Sequence, residues 1–371
     1  MNNKTKISAK IVAHSKSISG GEDLISFVCV LPRIVLAELN THNMFSKNSS
    51  SSRAIPFSKM LSVVEEDPFI PIAWQKQHKG MQGSEYFTES DGIENLVGGE
   101  TICDIERLQD RWLIARNDAV KNAKYLDSMG LTKQISNRLL ESFMWQTVIC
   151  TTTESALKNF YNLRCPQYYQ YVGKENDLRY KSREEAKKHW SSIKNGLSDY
   201  EKISEWSDTD WLSMNDGMAE IHISSLAEDM YDAYNNSTPK ILESSEWHTP
   251  FGDDIDNTKL VEILKSKSEF SKDNFVKAKI KIATARCARV SYTTVGHPDK
   301  HNYENDFKLF DNLIKQNHNS PLQHCAKSMS TDEYNSYCRG KITDPNNFGW
   351  CKNYKGFIQL REYIETKTFN L

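Results

Sequence analysis

The chain has 371 residues, and its 47 Lys and Arg against 49 Asp and Glu leave a formal net charge of −2. So close a balance excludes the large basic excess of a protein held on nucleic acid or on an anionic membrane surface. Apolar residues make up 38% with Tyr counted, and exchanging the 16 Tyr for the 16 Gly leaves the figure unchanged, below the roughly 45–50% of average domains, so part of the chain must be solvated.

The eight cysteines, at 29, 103, 150, 165, 287, 325, 338 and 351, form no C-x-x-C pair. Neither a disulfide framework nor a zinc ribbon is indicated, and a reducing compartment fits. The first ten residues are polar with no apolar stretch behind them, and no run approaches the ~18 apolar residues of a membrane span. A soluble, cytoplasmic protein is expected. At roughly 100 to 200 residues per domain, the length allows two or three domains or one domain with long insertions.

In chain order, residues 7–14 and 24–31 are short β-branched runs around a Ser-Gly-Gly turn, which predicts two strands, the second ended by Pro32. Ile34, Val35, Leu39 and Phe45 fall mainly at helical spacings behind Pro32, predicting a helix over about 33–46. Residues 60–104 show weak periodicity. Ile105, Leu108, Trp112, Ala115, Ala119 and Ala123 mark an amphipathic helix over 105–128, stopped at Gly130. Helices are expected at 133–148 and 153–162, the second with a capping box of Thr151 and Glu154. Residues 166–217 are polar and read as a partly helical surface insertion that contributes little to a core. A helix at 218–235, a loop at 236–256 and helices at 257–267, 273–289 and 303–316 follow.

Three constellations carry chemistry. In the first, Glu38, His42 and Ser46 stand four residues apart, so a helix there would present a carboxylate, an imidazole and a hydroxyl on one face before a serine run ending at Arg53. Hydroxyls, backbone N–H groups and a guanidinium in one turn suit a phosphate, although a flexible serine linker has the same composition. The second is the helix string Asn159-Phe160-Tyr161-Asn162-Leu163-Arg164, in which Arg164 emerges past the last turn. An arginine there is most often a complement to the helix dipole. The third joins Ala288-Arg289-Val290-Ser291 to His318-Asn319-Ser320-Pro321-Leu322-Gln323-His324. His318 and His324 lack a third ligand at a recognised spacing, so no metal site is expected. G-x-S-x-G, P-loop and G-x-G-x-x-G motifs are absent, which removes the common hydrolase, kinase and Rossmann readings.

Together these blocks resemble the flavin-dependent thymidylate synthases. The helix string is similar to that family's Asn-Phe-x-Asn-Leu-Arg, and the third constellation to its Ala-Arg-Val-Ser and His-x-Thr/Ser-Pro-x-x-His blocks. The family's Arg-His-Arg signature, with its downstream Ser and Glu-x-Ser-x-Arg, aligns with Thr41-His42-Asn43, Ser46, Asn48, Ser49, Ser51 and Arg53. Both arginines of the triplet and the Glu are replaced. The last two blocks precede the signature in the family and follow it here, so the chain resembles a circularly permuted, phage-type member, a rearrangement that needs only nearby termini and a cut in an exposed loop.

The resemblance implies an α+β fold with a mixed sheet and long helices, one catalytic domain over 1–371 with the polar insertion at about 166–217, and a homotetramer. It implies FAD as cofactor, with NADPH and methylenetetrahydrofolate as cosubstrates and dUMP methylated at C5. Ser51, Ser52 and Arg53 would hold the nucleotide and its phosphate, Arg138 would be a second phosphate ligand, Arg164 would contact the pyrimidine, and Glu38 stands where the family has a nucleotide-facing Gln. Arg164 and Ser51 are thereby the catalytic candidates. His42, Asn159, Ser291, His318, Ser320 and Gln323 would line the flavin and folate face. Without arginines at 41 and 43, FAD would bind more weakly or draw on Arg286, Arg289 or Arg361. Two other readings stand beside this one: a pyrimidine deoxynucleotide hydroxymethylase acting on dUMP or dCMP, and a catalytically silent nucleotide-binding protein.

Overall fold

The computed structural model describes residues 5–80, 83, 85–88, 91–94, 101–165, 180–192, 211, 219–292, 302–337 and 344–367. Its strands are β1 (Ser8–Ser17), β2 (Leu24–Pro32), β3 (Ser46–Ser49), β4 (Gly92–Glu94), β5 (Thr101–Cys103), β6 (Trp145–Thr153), β7 (Lys240–Leu242), β8 (Trp247–His248), β9 (Ala326–Ser328), β10 (Trp350–Cys351), β11 (Tyr354–Lys355) and β12 (Phe357–Gln359). The main sheet runs β3-β6-β2-β1-β7, antiparallel except where β1 pairs β7, and a three-stranded sheet runs β12-β9-β8. The fold is therefore α+β with a mixed sheet and long helices, as expected.

β2 and β6 form the centre of that sheet, and both of their faces are covered. Ile25, Phe27, Cys29, Leu31, Val148 and Cys150 pack on one side with Leu157 and Phe160 of the Glu154–Arg164 helix and Leu226 and Met230 of the Ile221–Asn235 helix. From the other side Ile149 meets Cys287 and Val290, and Leu24 meets Tyr354 and Phe357. Each fully buried side chain of this size contributes roughly 1.5–3 kcal/mol over an exposed one. The sheet is thus the rigid element from which the connecting segments hang.

The expected helices at 105–128, 153–162, 218–235, 257–267, 273–289 and 303–316 are present as Asp104–Ser128, Glu154–Arg164, Ile221–Asn235, Asn257–Ser266, Lys272–Arg289 and Tyr303–Lys315. Others differ. In place of one helix over 33–46 there is a 3-10 turn, Arg33–Val35, a short helix, Leu36–Asn40, and then β3. Lys47 ends the helix by donating to the carbonyls of Leu39, Asn40 and His42, and the free edge of β6 takes up Ser46–Ser49. The helix expected over 133–148 stops at Phe143, because Trp145–Thr153 is the strand between β2 and β3.

Thr151 consequently caps nothing. It lies inside β6 with its hydroxyl on Ser26 and His324, and the Glu154–Arg164 helix starts instead with Ser155 N–H donating to Glu22 and Glu154 N–H to the Asp23 carbonyl. Residues 57–66 form a helix that weak periodicity hid, and the stretch 236–256 contains β7 and β8. Of the polar segment 166–217, the described residues Tyr180, Ala186 and Trp211 belong to the main core, with the Trp211 indole donating to Glu228 at 2.6 Å, so its expected lack of core contribution is corrected there. The helix Arg183–Ser192 matches the expected partial helicity, and residues 166–179, 193–210 and 212–217 lie outside the described residues. No described helix is long and apolar enough to cross a membrane.

Candidate functional site

Glu38, His42 and Arg164 meet although they come from two distant segments. Arg164, at the last turn of its helix, donates through Nη1 to Glu38 Oε2 and through Nε to His42 Nε2, both at 3.3 Å. Phe160 fixes that turn: it is fully buried, and its ring meets the His42 ring edge-on at 4.7 Å. The helical i, i+4 face expected here does not form, since His42 follows the short helix and Ser46 starts β3. Tertiary packing nevertheless holds Glu38 and His42 on one guanidinium.

The charges in this cluster are set by their neighbours. Burial, then Arg164 and Lys47, push the His42 pKa down to about 4, so the imidazole is neutral at pH 7. Because Arg164 is donor-only, Nε2 must accept and the proton sits on Nδ1. Glu38 is raised above the ordinary carboxylate range, first by burial and then by Glu220, against the opposing pull of Arg164 and His222. Glu220 caps the Ile221–Asn235 helix and bonds the His222 ring, whose Nε2 accepts from Ile72 N–H. Lys47, Glu220 and His222 carry no local sequence pattern that marks them, and reasoning from sequence missed them.

The serine run makes an ordered turn. Ser50 accepts from Gln146, Ser52 donates to Glu141 at 2.7 Å, and the Asn137 carboxamide holds the carbonyls of Ser52 and Ile55. Arg33 bridges Gln146 and Glu141 behind it. The N–H groups of Ser50, Ser51 and Arg53 are consumed inside the protein, by Thr147, Ser291 and the Ser51 hydroxyl. What the turn offers outward is the Ser51 hydroxyl hydrogen and Arg53, whose exposed guanidinium has no hydrogen-bond partner among the described residues. The linker reading of this run fails on these bonds.

Behind the turn, Asn48 ties three segments together. Its Nδ2 donates to the Cys287 carbonyl at 2.8 Å, while its Oδ1 accepts from Ser291 at 3.0 Å and Ser320 at 3.4 Å. Ser291 and Ser320, far apart in sequence, are thus neighbours. Asn48→Ala should lower stability by about 1–3 kcal/mol by leaving the buried Cys287 carbonyl unpaired, and a urea midpoint equal to the parent's would refute that. A buried polar chain lies nearby, running Ser15–His248–Ser26–Thr151–His324 through contacts of 2.6 to 2.9 Å.

The remaining expected residues are not drawn into these clusters. Gln323 is half-buried, its carbonyl accepting from the Tyr354 hydroxyl. Arg138 is exposed with Nε on the Gln134 carbonyl, one residue from the Asn137 that holds the serine turn. Asn159 and His318 are exposed, on the Glu154–Arg164 helix and just past the Tyr303–Lys315 helix. Arg289 is engaged by Asp306, Arg286 by the Phe251 carbonyl and the Tyr303 ring, and Arg361 by Glu365. All three are thus paired within the protein. Among the described residues no three His, Cys, Asp or Glu side chains gather as a metal requires, and Cys165 is buried.

No protein-family model and no curated protein matches the sequence. Among solved structures, a UMP/dUMP methylase, PolB from Streptomyces cacaoi, bound with 5-Br UMP, is similar over 51% of this chain and 91% of its own, at 13% identity and a TM-score of 0.32. The same enzyme bound with 5-Br dUMP is similar over 52% and 93%, again at 13% identity and a TM-score of 0.32.

Proposed function

We propose that this chain is a flavin-dependent transferase that delivers the methylene of methylenetetrahydrofolate to C5 of a pyrimidine deoxynucleotide, with methylation of dUMP, the reaction of the resembled family, as its parent chemistry. The observation that supports it most is Arg164, held on Glu38 and His42 at the helix end where the resembled family places its pyrimidine-facing arginine. In this reading Arg164 orients the base and stabilises charge that develops on it, an electrostatic contribution that needs no protein nucleophile. Arg53 and Ser51 take the phosphate, while Ser52, buried with its hydroxyl on Glu141, shapes their turn and Arg138 stands exposed one residue past Asn137.

Ser291, Ser320 and Asn48, assembled from three segments, suit the polar edge of a flavin ring, and His42 adds an aromatic wall with Phe45 and Phe160. Asn159, Gln323 and His318, which lie outside these clusters, are carried on that side by the resemblance alone. FAD would supply the redox chemistry, with NADPH as its reductant. Arg286, Arg289 and Arg361 are each paired within the protein, so a pyrophosphate drawing on them would have to share or displace those partners. The same reading carries one catalytic domain, circularly permuted, in a homotetramer, to which light scattering gives a direct answer.

Mass analysis of products from dUMP and dCMP, with methylenetetrahydrofolate and with or without NADPH, tests the reaction. A methylated product that requires NADPH is expected. A hydroxymethyl product would move the assignment to the hydroxymethylase reading, and no product with a colourless protein would leave a silent binder. Arg53→Ala should weaken nucleotide binding by about 2–3 kcal/mol while sparing the flavin spectrum, because it removes a charge-assisted contact. Calorimetry returning an unchanged affinity would remove Arg53 from the phosphate site.

A further inference from the structure

Resting on the reading that Arg164 meets the pyrimidine, we propose that Glu38 sets the base, and that the preferred nucleotide is dCMP. Arg164 and Glu38 use one N–H and one oxygen on each other, which leaves Nη2 and Oε1 without hydrogen-bond partners among the described residues. The pair therefore shows an incoming base a donor beside an acceptor. Cytosine matches it with N3, an acceptor, next to the C4 amine, a donor. In the same register uracil sets N3–H against the guanidinium and O4 against the carboxylate, donor on donor and acceptor on acceptor.

A second observation comes from the state of Glu38. Its carboxyl is raised even with a guanidinium 3.3 Å away, because burial and the Glu220 carboxylate outweigh Arg164 and His222. Its Oε1 has no donor among the described residues, and a donor placed there would relieve that like-charge crowding. The C4 amine supplies one, whereas the C4 oxygen of uracil would add another negative end. A glutamine can rotate its amide to face either base, so the carboxylate is the discriminating feature. Sites that pair a polar group with one ligand reject the analogue that leaves it unpaired, less strongly where the group is partly solvated, as Glu38 is.

The test is calorimetric titration of the purified full chain with dCMP and with dUMP, on the parent and on Glu38→Gln. The parent should bind dCMP about tenfold or more tightly than dUMP, and Glu38→Gln should bring that ratio to near one or reverse it. A ratio of two nucleotides on one variant is insensitive to any general loss of stability. A parent that prefers dUMP, or a ratio unchanged in Glu38→Gln, overturns the assignment of the base while leaving the transferase reading intact. If neither nucleotide binds, both fall together.

Discussion

On the proposed function, Arg164→Ala should lower turnover by about 100-fold or more while leaving the melting temperature and flavin retention near their parental values. The expectation follows from what the side chain holds. As a dipole complement alone, its loss would cost about 0.3–1 kcal/mol of stability and little rate. Its two contacts, to Glu38 and His42, lie in a half-exposed cluster with side-chain exposures of 22% for Arg164 and 36% for Glu38, where ion pairs contribute little to stability. A guanidinium facing a base that gains charge during C5 attack acts chiefly in the transition state, so its removal falls on kcat more than on nucleotide affinity. Lysine at 164 should recover only part of the rate, since a point charge cannot hold Glu38, His42 and the base in one plane. A slightly destabilised, fully active Arg164→Ala enzyme would return the residue to the helix dipole.

The elements legible in the sequence are those whose pattern is local. β1 and β2 are bounded by a glycine turn and a proline, and the Asp104–Ser128 helix shows its period from Ile105 to Ala123. β6 was not legible, because a strand buried on both faces shows no alternation, and Trp145–Thr153 continues directly from a run with helical propensity. β3 is a four-residue polar edge strand whose existence depends on the free edge of β6, a tertiary fact. The apparent i, i+4 face of Glu38, His42 and Ser46 was a coincidence of spacing that happened to name two true neighbours.

At the site, motif-level reading selected positions and packing decided their states. Arg53 and Ser51 keep outward-facing groups, but Asn137, Gln146 and Glu141, which order their turn, come from a segment with no recognisable signal. Asn48 was visible as a letter in an aligned string. Its part in joining Cys287, Ser291 and Ser320 could be found only where three distant segments converge.

Stability should fall as pH drops from about 6.5 to 4.5, by roughly 1–2 kcal/mol per pH unit, and buried histidines are the cause. Burial drives the His248 and His324 pKa values down to about 3, with His14 and His324 adding to the shift of His248, and His42 lies at about 4. An imidazole depressed in the fold stays neutral there while the unfolded chain, with its ordinary value near 6.5, takes up a proton. The unfolded state thus binds more protons across this window, so stability is complete above about 6.5 and is lost as pH falls. Asp232 and Glu38 run the other way, since burial and Glu228 raise the pKa of Asp232 to about 7 and burial and Glu220 raise that of Glu38, so protons held by the folded state offset part of the three imidazole contributions. Carboxylates titrate alike in the parent and in a histidine variant, so comparing the two isolates the histidines. His248→Gln with His324→Gln removes two titrations while keeping a donor and an acceptor at each place in the chain to Ser26 and Thr151. The variant should be less stable than the parent at pH 7 and flatter below it. Urea midpoints at pH 6.5, 5.5 and 4.5 decide the matter, because an acid slope as steep in the double variant as in the parent would place the titrating groups elsewhere.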